Sequence, residues 1–370
     1  MKAKCLLTLI SLLLTLILVA CAQAEPIATL VPATETSERV AGVEPEPTVT
    51  ETGVPSQTPS PEPTATELPT ATLEPSPTPE PSPTPDFTGG GSGKIIFRSS
   101  RDGEETFYIM NYDGSEQEVW AENPIPDAVS RSAPRYSPDG SQIVISVEQD
   151  GTRNIFVANA DGSEWQQITT YTGILTGSSP TWSPDGHQIV FSSNEDNGIH
   201  VINSDGSGHV SLLEDHTGIK SFPSWSPDGS KIVFNWSFYD ADAAKLEDSE
   251  IIVMNADGTA ITTLTENEFE DIGAAWSPDG TKIAFQSNRD GKFEIYMMNA
   301  DGSEQTRLTN NGANNFSPVW SPDGSLIAYS AQFHDEDGTV RNEVYIIGAD
   351  GTNERNLTNG KNGLNPYWLP

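Results

Sequence analysis

Three features of the sequence predict an all-β fold, a six-bladed β-propeller. The tetrapeptide Ser-Pro-Asp-Gly occurs five times, beginning at Ser137, Ser183, Ser226, Ser277 and Ser321, at spacings of 46, 43, 51 and 44 residues. An apolar strand of the type Lys-Ile-Ile-Phe occurs six times, beginning at Lys94, Gln142, Gln188, Lys231, Lys282 and Leu326. A strand with nothing after it, Asn365-Pro366-Tyr367-Trp368-Leu369-Pro370, ends the chain. A period in this range marks an array of one supersecondary unit.

The unit is clearest around Trp276. Strand A (Ala274-Ala275-Trp276) runs into Ser277-Pro278-Asp279-Gly280. That tetrapeptide suits a type I turn at every position: Ser first, Pro with its φ preset, then Asp and Gly. Strand B is Lys282–Phe285, and Arg289-Asp290-Gly291 turns it into strand C, Glu294–Met298. Asp301-Gly302 forms the hairpin to strand D, which carries Leu308-Thr309. Short β-type runs between Gly-containing turns describe a four-stranded antiparallel meander.

The C-to-D turn also occurs six times, with Gly114, Gly162, Gly206, Gly258, Gly302 and Gly351. Six B strands and six C-to-D turns face only five Ser-Pro-Asp-Gly turns. The blade that starts at Lys94 therefore lacks a strand A, and Asn365–Pro370 aligns with Phe222-Pro223-Ser224-Trp225-Ser226-Pro227. The last strand is expected to complete the first blade and close the ring, which protects its edges.

These residues resemble the TolB-type propeller repeat, Pro-x-Trp-Ser-Pro-Asp-Gly followed by Lys-x-Ile-x-Phe, an Asp-Gly turn and Leu-Thr. Trp182, Trp225, Trp276 and Trp320 match, with Tyr136 in one copy; Leu-Thr or a relative stands at Ile168-Thr169, Leu264-Thr265, Leu308-Thr309 and Leu357-Thr358. The resemblance covers nearly all of residues 94–370. It implies the propeller and, from the family, a role in a periplasmic envelope complex. TolB itself carries an α/β domain ahead of its propeller; this chain has other material there.

That material falls into two segments. Residues 1–20 read as a secretory signal: Lys2 and Lys4, an apolar run from Cys5, and Leu18-Val19-Ala20-Cys21 at its end. This resembles a bacterial lipoprotein signal, with Cys21 as the lipidated residue; an uncleaved membrane anchor is the alternative, for which the run is short. Residues 21–92 hold 15 of the 28 prolines with Thr, Ser and Glu. Such a segment buries too little apolar surface to fold and reads as an extended tether. The propeller occupies 93–370. The expected location is outside the cytoplasmic membrane, on its outer face or in the periplasm.

Cys5 and Cys21 are the two cysteines, so residues 93–370 contain no disulfide, Cys ligand or Cys nucleophile. Of the net charge of −34, about −26 falls on 93–370, which has 42 acids and 16 bases. Nucleic-acid binding needs clustered Lys and Arg, and this balance speaks against it. No Gly-x-Ser-x-Gly elbow marks a hydrolase nucleophile.

The repeated Asp139, Asp185, Asp228, Asp279 and Asp323 could suggest a catalytic or metal ring, but turn chemistry accounts for them. The five histidines, at 187, 200, 209, 216 and 334, show no ligand spacing. Two insertions are more informative: 236–248 in the fourth blade and 333–338 in the sixth. Both are B-to-C connections, which share a face with the variable D-to-A links. Variation gathered on one face points to the binding face. The candidate ligand contacts are Trp236, Phe238, Tyr239, Asp240, Asp242, Asp335 and Asp337. Clustered loop acids also raise calcium as a ligand, though no EF-hand spacing is present; no other cofactor is expected.

The expected function is a non-catalytic, lipid-anchored, monomeric propeller that binds an envelope or extracellular protein, peptide or glycan. The alternatives are a lyase or hydrolase with a site at the channel mouth, and a purely structural envelope component.

Overall fold

The computed structural model describes residues 93–121, 130–172, 176–213, 218–240 and 245–370. The signal, Cys21 and the tether lie outside them. Among the described residues there is no helix, and the strands form six antiparallel sheets, each ordered A-B-C-D.

Blade 1 comprises A (Leu364–Trp368), B (Lys94–Ser99), C (Thr106–Asn111) and D (Glu118–Ala121). Strand A comes from the end of the chain: Trp368 pairs with Ile95 and Tyr367 with Ile96, so the ring closes as expected. In blade 2, strand A is in two pieces, Ser130–Arg131 and Arg135–Tyr136, both paired with Gln142–Gln149. Blades 3 to 6 take their A strands from Gly177–Trp182, Ile219–Trp225, Asp271–Trp276 and Asn314–Trp320. A strands touch the A strands of neighbouring blades, which puts them around the axis.

Each Ser-Pro-Asp-Gly turn is closed by Gly N–H to the Ser carbonyl, at 2.8–2.9 Å. The Ser hydroxyl donates to the Asp carboxylate at 2.6 Å in all five. That hydroxyl also accepts the N–H that starts strand B, as from Lys282 at 2.9 Å. The aspartates are thus consumed by turn chemistry. Their glycines sit at φ of 70–73°, which only glycine adopts without strain. Successive turns also nest. A Cβ on Gly186 would lie 3.7 Å from Pro138, and one on Gly324 would lie 3.6 Å from Pro278. At Gly140 the neighbour is Pro370, 3.8 Å away. The last residue thus supplies the proline missing from blade 1's turn.

The core lies between blades. Trp276 and Phe285 of blade 5 pack on Val233, Ile251 and Val253 of blade 4, and Trp368 and Ile95 of blade 1 on Leu326 and Ala328 of blade 6. Trp182 Nε1 donates to the carbonyl of Arg135 (2.9 Å) and Trp320 Nε1 to that of Ala275 (3.0 Å), each in the preceding blade. The tryptophans are packing residues between blades.

The Thr of Leu-Thr is a second repeated lock. Thr309 accepts Ile295 N–H at 2.8 Å and donates to Glu294, the first residue of strand C, at 2.6 Å. Thr265 with Glu250 and Thr358 with Glu343 repeat this, and Asn154 replaces the acid opposite Thr169. Buried carboxylates are costly unless hydrogen-bonded, and these are.

Candidate functional site

The blade 4 insertion continues both strands, and in blade 6 the strands run out to the turn at 335–339. In blade 4, strand B runs Lys231–Asp240 and strand C runs Lys245–Asn255. Their pairing continues past Trp236↔Glu250 to Tyr239↔Leu246 and Asp240↔Lys245. In blade 5 the same strands are six residues each, Lys282–Ser287 and Glu294–Asn299. Residues 236–240 and 245–248 are therefore the two strands of a hairpin arm, and 241–244 lie outside the described residues. Blade 6 has a similar arm, Leu326–His334 and Val340–Gly348, paired out to His334↔Val340.

Both arms stand on the face formed by the D-to-A links. Glu270 in one such link bridges Ser249 of blade 4 and exchanges hydrogen bonds with Asn288 in the B-to-C turn of blade 5.

At the base of the blade 4 arm, the Lys220 ammonium lies 4.6 Å from the centre of the Trp236 ring. Trp236 is half-buried and Lys220 fully buried. The pair is a cation–π contact, strongest where water is excluded. Gly218 packs on this ring; a Cβ there would come within 2.8 Å of Trp236 Nε1. Phe238, Tyr239 and Asp240 lie on strand B, and Asp242 lies outside the described residues.

Beside the arm is a polar network absent from the sequence-level candidates. Asp271 is fully buried; its Oδ2 accepts Arg289 Nη2 at 2.8 Å and Asn267 Nδ2 at 2.7 Å. Asn235 of strand B donates to the Asp271 carbonyl and accepts Gly273 N–H, tying blade 4 to blade 5. Glu250 accepts Asn267 N–H at 2.6 Å, and burial pushes its carboxyl up. Arg289 also lies over Tyr296, whose hydroxyl donates to Asp290. Blade 1 repeats this with Arg101 over Tyr108, which donates to Asp102. The Arg-Asp-Gly turns thus do more than reverse the chain. Their recurrence was the available signal.

In blade 6, Asp335 receives Arg341 in a two-pronged contact, 2.9 Å from Nε and 3.2 Å from Nη2. Arg341 also covers the Phe333 ring at 4.9 Å. Asp337 accepts Thr339 N–H at 2.9 Å, and the Thr339 side chain and backbone hold its carboxyl below the ordinary range. The two carboxylates serve their own turn and do not converge. Among the described residues, no group of three or more His, Cys, Asp or Glu is placed to hold a metal ion.

The comparisons with known proteins accord with this architecture. The chain is similar to TolB from Acinetobacter baumannii, with 20% identity over 76% of this chain and 68% of that one, and a TM-score of 0.62. It is similar to a putative TolB from Agrobacterium tumefaciens, with 20% identity over 76% of this chain and 100% of that one, and a TM-score of 0.52. A chain from a nidogen/laminin complex matches with 12% identity over 74% of this chain and 97% of that one, and a TM-score of 0.55. At these identities the likeness concerns the fold. No curated protein matches the sequence. The model of the TolB beta propeller domain matches residues 127–212 and 199–370, well over half of the chain, and the protein belongs to that family.

Proposed function

We propose that this is an exported, lipid-anchored, non-catalytic propeller that binds a protein or peptide at the cell envelope. The observation that carries the reading is the pair of hairpin arms. Blades 4 and 6 extend their B and C strands furthest on the face of the variable links, to 9–11 residues against 8 in blade 2 and 6 in blades 1, 3 and 5, while the opposite face is a repeated ring of Ser-Pro-Asp-Gly turns. A regular ring with two protruding arms suits recognition of a shaped partner. Trp236, Phe238, Tyr239, Asp240 and Asp242 are the proposed contacts in blade 4, and Asp335 and Asp337 in blade 6. The match to a chain found in a nidogen/laminin complex supports this reading, since that chain occurs in a complex of proteins. The signal-like start, Cys21 and the Pro-rich segment support export, anchoring and reach.

The test is cross-linking capture from envelope fractions with the full chain, beside a Tyr239→Ala/Asp240→Ala variant. The reading requires a defined partner whose capture is lost in the variant while its melting temperature is unchanged. Equal capture by both proteins refutes this face as the site. Anchoring is tested separately, since Cys21→Ser should move the protein from the membrane to the soluble fraction.

A further inference from the structure

Blade 3 carries a chain of titratable groups that the binding reading does not use. His200 is the third residue of strand C, Gly198–Asn203, and is 3% exposed. Its Nε2 lies 2.9 Å from Asp196 Oδ1. Asp196 is itself held by Gly198 N–H and the Ser211 hydroxyl, both at 2.9 Å. On the other side of the ring, His200 Nδ1 lies 3.0 Å from Nε2 of His209, an exposed residue just before strand D. Phe191 stacks on both imidazoles, with centroids at 5.4 and 5.7 Å and interplanar angles of 22° and 28°.

The tautomers follow from this arrangement. A carboxylate only accepts, so the His200 proton is on Nε2 and its Nδ1 presents a lone pair. A carboxylate behind an imidazole is the arrangement that orients metal-ligating histidines. In one His209 tautomer Nε2–H donates to that lone pair. In the other, the proton is on Nδ1 and the two nitrogens face one another with both lone pairs free, 3.0 Å apart, so that an ion off the line between them could take both. Switching between them moves a proton within His209 and releases none.

The geometry points to a two-nitrogen site for a divalent transition-metal ion at His200 Nδ1 and His209 Nε2, with copper(II) the best fit. Two metal–nitrogen bonds of about 2.0–2.1 Å at a right angle place the nitrogens about 2.9 Å apart, whereas tetrahedral ligation needs about 3.3 Å. The observed 3.0 Å matches cis positions of a tetragonal site. Copper(II) favours that geometry and tops the affinity order for nitrogen ligands. Glu195 and Asp196 supply a field favourable to a cation. Asp196 stands behind His200 and is no ligand, so water fills the remaining positions and the site is open.

The experiment is titration of the purified full chain with copper(II) alone, followed by calorimetry and electron paramagnetic resonance. Binding of one equivalent is expected, with a tetragonal spectrum showing coupling to two nitrogens, and weaker binding of zinc. His209→Ala should weaken the site at least tenfold and remove one nitrogen coupling. Asp196→Asn, which removes the orienting carboxylate, should weaken it about tenfold. His334→Ala, distant in sequence and on the blade 6 arm, should change nothing. Because His200 is buried, the decisive variant is His209→Ala at the exposed end. Absence of one-to-one binding, or a His209→Ala protein that binds copper as the unmodified chain does, overturns the assignment.

Discussion

Replacing Trp368 by Ala tests ring closure at a single side chain. Trp368 is 6% exposed and packs with Ile95, Phe97, Leu326, Ala328 and Val344, residues from the two ends of the propeller sequence. Truncating a buried Trp to Ala costs about 3–5 kcal/mol from lost transfer energy and the cavity left behind. For a domain of this size each kcal/mol lowers the melting temperature by about 2–4 °C, so a drop of roughly 6–20 °C is expected. Trp276 occupies the same place between blades 4 and 5 and is 9% exposed. Trp276→Ala should therefore cost about as much, although it is far from either end of the propeller. The assay is thermal and urea unfolding followed by far-ultraviolet circular dichroism. A Trp368→Ala protein that melts like the unmodified chain, while Trp276→Ala does not, would refute closure by the last strand. Deleting residues 364–370 goes further. It uncovers the edge of Lys94–Ser99, where Ile95, Ile96 and Phe97 have no exposed surface, and should produce aggregates on size exclusion.

Other consequences follow from the repeated polar locks. Thr309→Val removes the donor to Glu294 and the acceptor of Ile295 N–H, and should cost about 1–3 kcal/mol in urea unfolding, with Thr309→Ser clearly milder. The Ser137 and Ser226 hydroxyls, with the N–H groups of residues 141 and 230, hold Asp139 and Asp228 at about 2. Their folded-state values are depressed, so the stability they contribute is present above the unfolded value near 4 and is lost as pH falls toward about 2. Unfolding midpoints measured against pH should fall across that window, and less steeply in an Asp139→Asn/Asp228→Asn protein. Glu250, pushed up by burial, works in the opposite direction. Asp335→Asn breaks an exposed ion pair with Arg341 and should change stability by no more than about 1 kcal/mol; a larger loss would show that the blade 6 arm depends on that pair.

Much of the fold was legible because the repeat is written in local chemistry. Ser-Pro-Asp-Gly sets its own turn through contacts spanning six residues, from Ser277 Oγ to Lys282 N–H, so five copies could be recognised without a structure. The orphan strand at Trp368 could be assigned by counting. The candidate site was less legible. Residues 236–248 lack a turn signal in the sequence, and whether such a segment loops or pairs depends on a partner strand. The Asp271–Arg289–Asn267 cluster was invisible because its members come from a D-to-A link, a strand A and a B-to-C turn. The His200–His209 contact has no ligand spacing along one strand, because the two rings meet across the C–D hairpin.

The sequence by itself determined the number of blades, the strand order, the closing strand and the turn role of the repeated aspartates. Each depends on periodicity or on residues adjacent in the chain. The tertiary structure alone decided which polar groups face one another: Lys220 with Trp236, Thr309 with Glu294, His200 with His209. Such pairings depend on register and on which face a side chain takes. A register shift of one residue reverses every side chain of a strand. In blade 4 the bulge between Ser221 and Ser224 shifts the register of strand A against strand B by one residue.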